Sequence, residues 1–438
     1  MPSPQRRTEI IDALRRGTVP RAGLDAFAVG LDRLGDAFDR ELDTVRLGGS
    51  VFKAVRGEYG SGKTFCARWL QERARARGFA TAEVQISETE TPLHRMETVY
   101  RRLTERLVTA DGREGALRDI VDAWFFTLEE EVLAAGDVDP ADEAGLIDRT
   151  GQVMEQRLAA VTRSAPAFGA VLRTYRRALA AGDETTAAGL VAWLGGQPNV
   201  AAAVKRQAGL KGDIDHFAAG NFLAGLLVIL RDSGVPGLVF VLDEVETLQR
   251  MRGDSRDKAL NGLRQLMDEI DAGRFPGIYL LITGTSAFFD GPQGVQRLAP
   301  LAQRLHVDFS TEPRFDNPRA VQVRLSPFDL DRLAAVGRSI RDIFAEQATA
   351  PERIRGLVGD DYIARLAGAI AGDLGGRAGV APRLFLKKLV GDVLDRVDQF
   401  PDFDPRRHYA PTLAEVELTA AERAARAAAD VDEIELSL

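Results

Sequence analysis

Cysteine occurs once, at Cys66, in a chain of 438 residues. An internal disulfide is therefore excluded, and a reducing, cytoplasmic setting is expected. Histidine is nearly as scarce. His94, His216, His306 and His408 lie far apart, none at metal-ligand spacing from another, so no zinc site is expected. Long apolar runs are missing too. The longest, Phe222 to Leu230, is far too short to cross a bilayer, and an N-terminus carrying Arg6, Arg7, Arg15 and Arg16 lacks the apolar core of a signal peptide. Net basicity is absent: the formal charge of −8 argues against nucleic-acid binding through overall charge, while leaving room for a local basic patch. Lysine is confined to positions 53, 63, 205, 211, 258, 387 and 388, so nearly all positive charge is arginine. What remains, 45% hydrophobic and 28% charged residues, is the composition of a soluble globular chain long enough for two or three packed units.

Against that scarcity Lys63 stands out. It closes the stretch Gly57, Glu58, Tyr59, Gly60, Ser61, Gly62, Lys63, Thr64, which fits the phosphate-binding pattern G-x-x-x-x-G-K-S/T. The glycines let backbone N–H groups curl around phosphates, Lys63 reaches the β- and γ-phosphates, and the Thr64 hydroxyl is suited to Mg²⁺. The helix expected to begin near Gly62 aims its positive dipole end at the same anion. Context supports the match, because residues 51–56 read as a strand entering the loop and residues 65–73 as a helix leaving it. Cys66, on that helix, reads as a packed thiol.

Four further apolar runs read as strands: 80–87, 237–244, 278–285 and 320–325. They alternate with helical patterns, which predicts an α/β fold with a parallel sheet sandwiched by helices and ligands at the carboxyl edge of the strands. We expect an N-terminal helical segment at 1–46, broken at 18–24, packing beside the nucleotide, with Val19 and Pro20 contacting the base. The core would comprise 47–87 and 236–328. A helical insertion would fill 88–235, with helices at 93–109, 116–135, 152–181 and 217–232. A helical lid would follow at 329–400, then an extension or tail at 401–438, Ala- and Glu-rich from Leu413.

The run at 237–244 ends in Asp243 and Glu244. Asp243 is placed to complete a Mg²⁺ site opposite Thr64, and Glu244 to act as general base on an attacking water, which favours an ATPase over a small-molecule kinase. Thr283 and Thr285 fall at the tip of the next run, where a hydroxyl can sense the γ-phosphate. Arginine suits neutralising phosphate charge. Arg304, with Arg297 nearby, is a candidate finger acting across a subunit interface, and Arg383, with Arg377 as its competitor, a candidate acting from the lid. An interface arginine implies a homo-oligomer.

The order of these motifs, with residues 325–328 as a Leu-x-Pro-Phe strand end and Pro382-Arg383 on the lid, resembles AAA+ ATPases of the origin-recognition type and the neighbouring STAND signalling NTPases. More narrowly, residues 13–20, 55–65 and 242–246 look like those of the ATP-binding proteins of BREX-type phage-defence loci. That resemblance implies ATP and Mg²⁺ as ligands, a role in anti-phage defence, and partner proteins such as a helicase or nuclease of the same locus. No winged-helix pattern follows residue 400, which weighs against sequence-specific DNA binding. Two rivals stand beside a hydrolysing machine. One is a STAND-like switch that holds nucleotide with little turnover. The other is a DNA-loading or DNA-translocating ATPase, its pore lined by arginines.

Overall fold

Each of the five apolar runs forms a strand, and the strands align in one parallel sheet. They are β1 (Val51–Arg56), β2 (Ala80–Gln85), β3 (Leu238–Asp243), β4 (Ile278–Gly284) and β5 (Gln322–Arg324). A computed structural model describes residues 2–136, 138–374, 382–419, 422–423 and 426–427. The strand order is β2-β3-β4-β1-β5. The strand leading into the P-loop and the strand ending in Asp243 are therefore not neighbours, because β4 lies between them. Its register, with Val55 opposite Thr283 and Leu242 opposite Ile282, brings the ends of β1, β3 and β4 to one edge.

The strands are apolar on both sides because both faces are covered. Leu238, Phe240 and Leu242 of β3 point into a core shared with the helices between β2 and β3. Val239 and Val241 point into a second core shared with Trp69 and Leu70 behind the P-loop. Burying each such side chain is worth about 1.5–3 kcal/mol. Ile10, Ile11 and Leu14 of helix Pro4–Arg15, and Phe38 and Leu42 of helix Asp32–Arg46, enter the second core and tie the N-terminal segment to the sheet. Between these helices the break runs from residue 16 to 31, longer than expected, and holds a single 3-10 turn at Leu24–Phe27.

The run expected to be one helix over 152–181 is three: Glu143–Arg157, Ala159–Ser164 and Pro166–Ala180. Pro166 forces the second of the two breaks, since the residue before a proline is pushed out of the helical region, and Ala165 sits at φ −137°, ψ 75°. Two helices not expected, Glu184–Leu194 and Ala202–Gln207, follow it. The first is capped by the Asp183 carboxylate accepting from the Thr186 amide, a local signal hidden by a surrounding Gly- and Asp-rich composition.

After β5 come helices Leu330–Ala345, Pro351–Leu357 and Asp360–Gly372, then a helical run from Pro382 to Gln399 whose middle, Lys388–Leu394, is π-wound. Arg377 lies outside the described residues, as does most of the chain beyond Thr419. The Ala- and Glu-rich segment from Leu413 includes the turn Glu415–Glu417, with Leu413 and Leu418 buried in the second core. Among the described residues no helix is long and apolar enough to cross a membrane.

Candidate nucleotide-binding site

At the carboxyl edge of β1 the chain turns through Gly60 and Gly62, both left-handed at φ +81° and +89°, and enters helix Lys63–Ala76. Side chains other than glycine rarely adopt that conformation, so the turn needs these glycines. Gly57 is favoured for a different reason: a Cβ there would crowd Ser61, meeting its hydroxyl and lying 3.1 Å from its Cβ. The Lys63 ammonium folds back over the loop, donating to the carbonyls of Gly57 (3.0 Å) and Glu58 (3.3 Å), and lies 5.1 Å from the Tyr59 ring centroid.

Beneath the loop, the P-loop helix and the strands β3 and β4 contribute one cluster. Thr64 Oγ1 donates to Asp243 Oδ2 at 2.9 Å, and Thr283 Oγ1 donates to Asp243 Oδ1. Asp243 is only 4% exposed. Burial pushes its carboxyl above the ordinary value; the hydroxyl bonds from Thr283 and Thr64 pull against that, and the nearby charges of Glu83 and Glu244 add to it. A buried carboxylate with hydroxyl partners and, among the described residues, no cation within ion-pair distance fits a hard divalent ion held with Thr64.

Glu244 follows at φ +59°, ψ 43°. Left-handed backbone at a residue bearing a Cβ costs roughly 1–2 kcal/mol, and such positions cluster at functional sites. The turn lifts Glu244 out of the strand, exposes it and starts the short 3-10 helix Val245–Arg250. Its carboxylate accepts from Gln85 Nε2 at 2.7 Å. Glu246 is 5% exposed, lies 3.6 Å from Lys63 Nζ, and neither of its oxygens accepts a hydrogen bond from a described residue. Burial raises its carboxyl above the ordinary value, against the pull of Lys63.

The cleft above these groups encloses about 360 Å³ and has two ends. Gly60 to Phe65, Glu244 and Glu246 line one. Val19, Pro20, Phe27, Val29 and Leu31 line the other, closed over by Pro382, Arg383, Phe385 and Leu386. Val19 and Pro20 thus reach the cleft, as does Phe328 of the Leu-x-Pro-Phe strand end. Arg383 reaches it already engaged: its guanidinium donates to both oxygens of Glu422, at 3.1 and 2.6 Å, and to the Glu417 carbonyl. Thr285 caps the short helix Ser286–Asp290 through the Phe288 amide. Arg304 does not line the cleft; it pairs with Asp268 beside helix Gly253–Asp271. Arg297 pairs with Asp257 of the same helix.

The family model described as BREX system ATP-binding protein BrxC/D matches residues 3–413. The chain belongs to this family. No curated protein and no solved structure matches it. The family description names ATP binding, and on this BREX ATP-binding protein the P-loop and the apolar residues Val19, Pro20, Phe27, Val29 and Leu31 line one cleft.

Reading the sequence missed several residues of this site. Glu246 carries no local mark beyond its place two residues after Glu244. Gln85 is the last residue of β2, so the rule that ligands gather at carboxyl strand ends pointed to it. Phe27, Val29 and Leu31 come from the connection between the first two helices, and no periodicity marks them.

Proposed function

We propose that this BREX protein binds ATP with Mg²⁺ in the cleft and hydrolyses it, as an AAA+-like switch or motor acting with partner proteins in phage defence in the cytoplasm. The observation that carries the reading is the cluster of Thr64, Asp243 and Thr283 under the P-loop with Glu244 lifted beside it. The P-loop amides and Lys63 bind the phosphates, and Lys63 exchanges its bonds to the Gly57 and Glu58 carbonyls for phosphate oxygens. Thr64 and Asp243 would hold Mg²⁺, whose charge neutralises that building up on the phosphates. Thr283 fixes the orientation of Asp243 and stands where it can sense the γ-phosphate. Glu244 accepts a proton from the attacking water. In this reading residues 329–400 act as the lid, Arg383 reaches the phosphates from it, and Arg304 serves a neighbouring subunit of a homo-oligomer. The strand order, with β4 between β1 and β3, supports placing the core among AAA+-like P-loop folds.

A second reading, a nucleotide-holding switch of low turnover, is favoured by one contact. Gln85 holds the Glu244 carboxylate, so the base rests bonded to a neighbour rather than free for water.

Glu244→Gln separates these readings from the absence of catalysis. Turnover should fall by about 10²–10⁴-fold while ATP stays bound. Turnover equal to the parent chain's would remove Glu244 from the mechanism. Unmeasurable turnover in the parent chain, with nucleotide retained, would leave the switch.

A further inference from the structure

β2 is the terminal strand of the sheet on its side. The Ala80 and Ile86 amides point toward β3, donating to the carbonyls of Gly237 and Asp243. The alternate residues therefore face outward. At Thr81 that outward edge is capped: its N–H and C=O exchange two 2.8 Å bonds with Val108. Beyond Thr81, the outward backbone groups of Glu83 and Gln85 find no partner among the described residues. Unpaired strand edge of this kind is a ready template for another strand.

The open edge lies in a cavity of about 820 Å³. Arg68 and Arg75 of the P-loop helix wall it on one side, and Arg102 and Arg106 on the other. Three of these are neutralised locally: Arg68 by Glu83 at 2.9 Å, Arg102 by Glu105 at 2.9 Å, Arg106 by Glu114 at 3.3 Å. Arg75 is not. Its guanidinium donates to Thr81 Oγ1 (3.1 Å) and to the Arg21 carbonyl (3.3 Å), and it makes no ion pair among the described residues. Burial lowers its pKa and the nearby charge of Arg6 adds to that, while the Glu72 and Glu83 carboxylates pull the other way without closing to an ion pair.

We propose that the edge of β2 is a docking slot for an extended, acidic segment of a partner protein, which pairs with the backbone of Glu83 and Gln85 and sets a carboxylate against Arg75. Strand addition of this type draws affinity from main-chain bonds and selectivity from the flanking side chains. A nucleic-acid strand fits less well. Most arginines in the slot are already cancelled by carboxylates, and no aromatic ring lines it for bases to stack on. Docking also has a route to the nucleotide site, because Gln85 presents its backbone to the slot and its side chain to Glu244. That route rests on the reading of Glu244 above; the docking itself does not.

The test is a selection of random twelve-residue peptides on the full chain, followed by anisotropy titration of the strongest binder. The expected binder is rich in Asp and Glu and protects the β2 amides of Glu83 and Gln85 from hydrogen exchange. Its affinity should fall at least tenfold with Arg75→Glu, and equally when alternate peptide amides are N-methylated. The second change leaves the protein untouched, so it holds even if Arg75→Glu impairs folding. Binding should persist in Lys63→Ala, which keeps the outcome separate from nucleotide binding. Recovery of no acidic binder, or of one indifferent to N-methylation, overturns the proposal. So does a fifteen-nucleotide single strand that displaces the binder and protects the same amides.

Discussion

At the end of the cleft proposed above to take the phosphates, the side chains of Thr64, Asp243 and Thr283 meet through hydrogen bonds between elements anchored by three neighbouring strands. At the other end, Val19, Pro20, Phe27, Val29 and Leu31 come from a connection holding one 3-10 turn and offer mostly apolar surface. The first end is fixed by sheet register, so displacing one group misplaces all three. The second is fixed by packing, and each residue contributes its own increment. Direction and charge discrimination should therefore reside at the phosphate end, and graded affinity at the base end.

Lys63→Ala tests the phosphate end most severely. Loss of about 3 kcal/mol of charge-assisted bonding should weaken ATP binding roughly a hundredfold by calorimetry; unchanged affinity would sink the P-loop assignment. Thr283→Val should be next. Removing the hydroxyl leaves Asp243 short of a buried partner, a cost of about 1–3 kcal/mol. It also removes a bond that lowers the Asp243 pKa, so Mg²⁺ affinity should fail at a higher pH than in the parent chain. An unmoved acid limb would mean that Thr283 does not orient Asp243. At the base end, Val29→Ala should weaken ATP by only about fivefold, about 1 kcal/mol of lost apolar contact. A loss as large as that of Lys63→Ala would erase the contrast between the ends.

The smallest effect is expected at Glu246, and its sign is opposite. A carboxyl whose pKa is raised on folding binds its proton more tightly in the native state, so its ionised form destabilises the fold as pH climbs above the ordinary value of 4.5. Glu246→Gln should therefore raise the melting temperature slightly at mildly alkaline pH, with the gain shrinking as pH falls toward 4.5. A loss of stability at mildly alkaline pH would show that Lys63 needs this carboxylate more than burial penalises it.

The phosphate end was legible in advance because its chemistry is spelled by residues of fixed spacing, and because apolar strands ending in Asp243 or Thr283 announce a shared carboxyl edge. Which strand lies beside which is not spelled locally. The Asp243–Thr283 bond follows from β3 and β4 being neighbours, a fact of pairing across the sheet. Gln85 meets Glu244 for the same reason, through β2 beside β3. The base end was legible only at Val19 and Pro20, since apolar residues in an irregular connection look alike whether they line a cleft or fill a core. Arg304 shows the converse difficulty: an arginine on the amphipathic helix Ala299–Leu305 reads the same whether it faces a neighbouring subunit or Asp268 of its own chain.

The placement of β1 has a consequence for how the chain is made. Val51 pairs with Tyr279, about 230 residues later, and not with β2, the next strand synthesised. At about 5–20 residues per second, the ribosome delivers that partner roughly 10–45 s after β1 emerges. Throughout that interval β1 has neither sheet neighbour, and the helices between β2 and β3 are the first large unit able to fold. The nascent chain should therefore acquire protease resistance in that helical region well before it can retain a nucleotide.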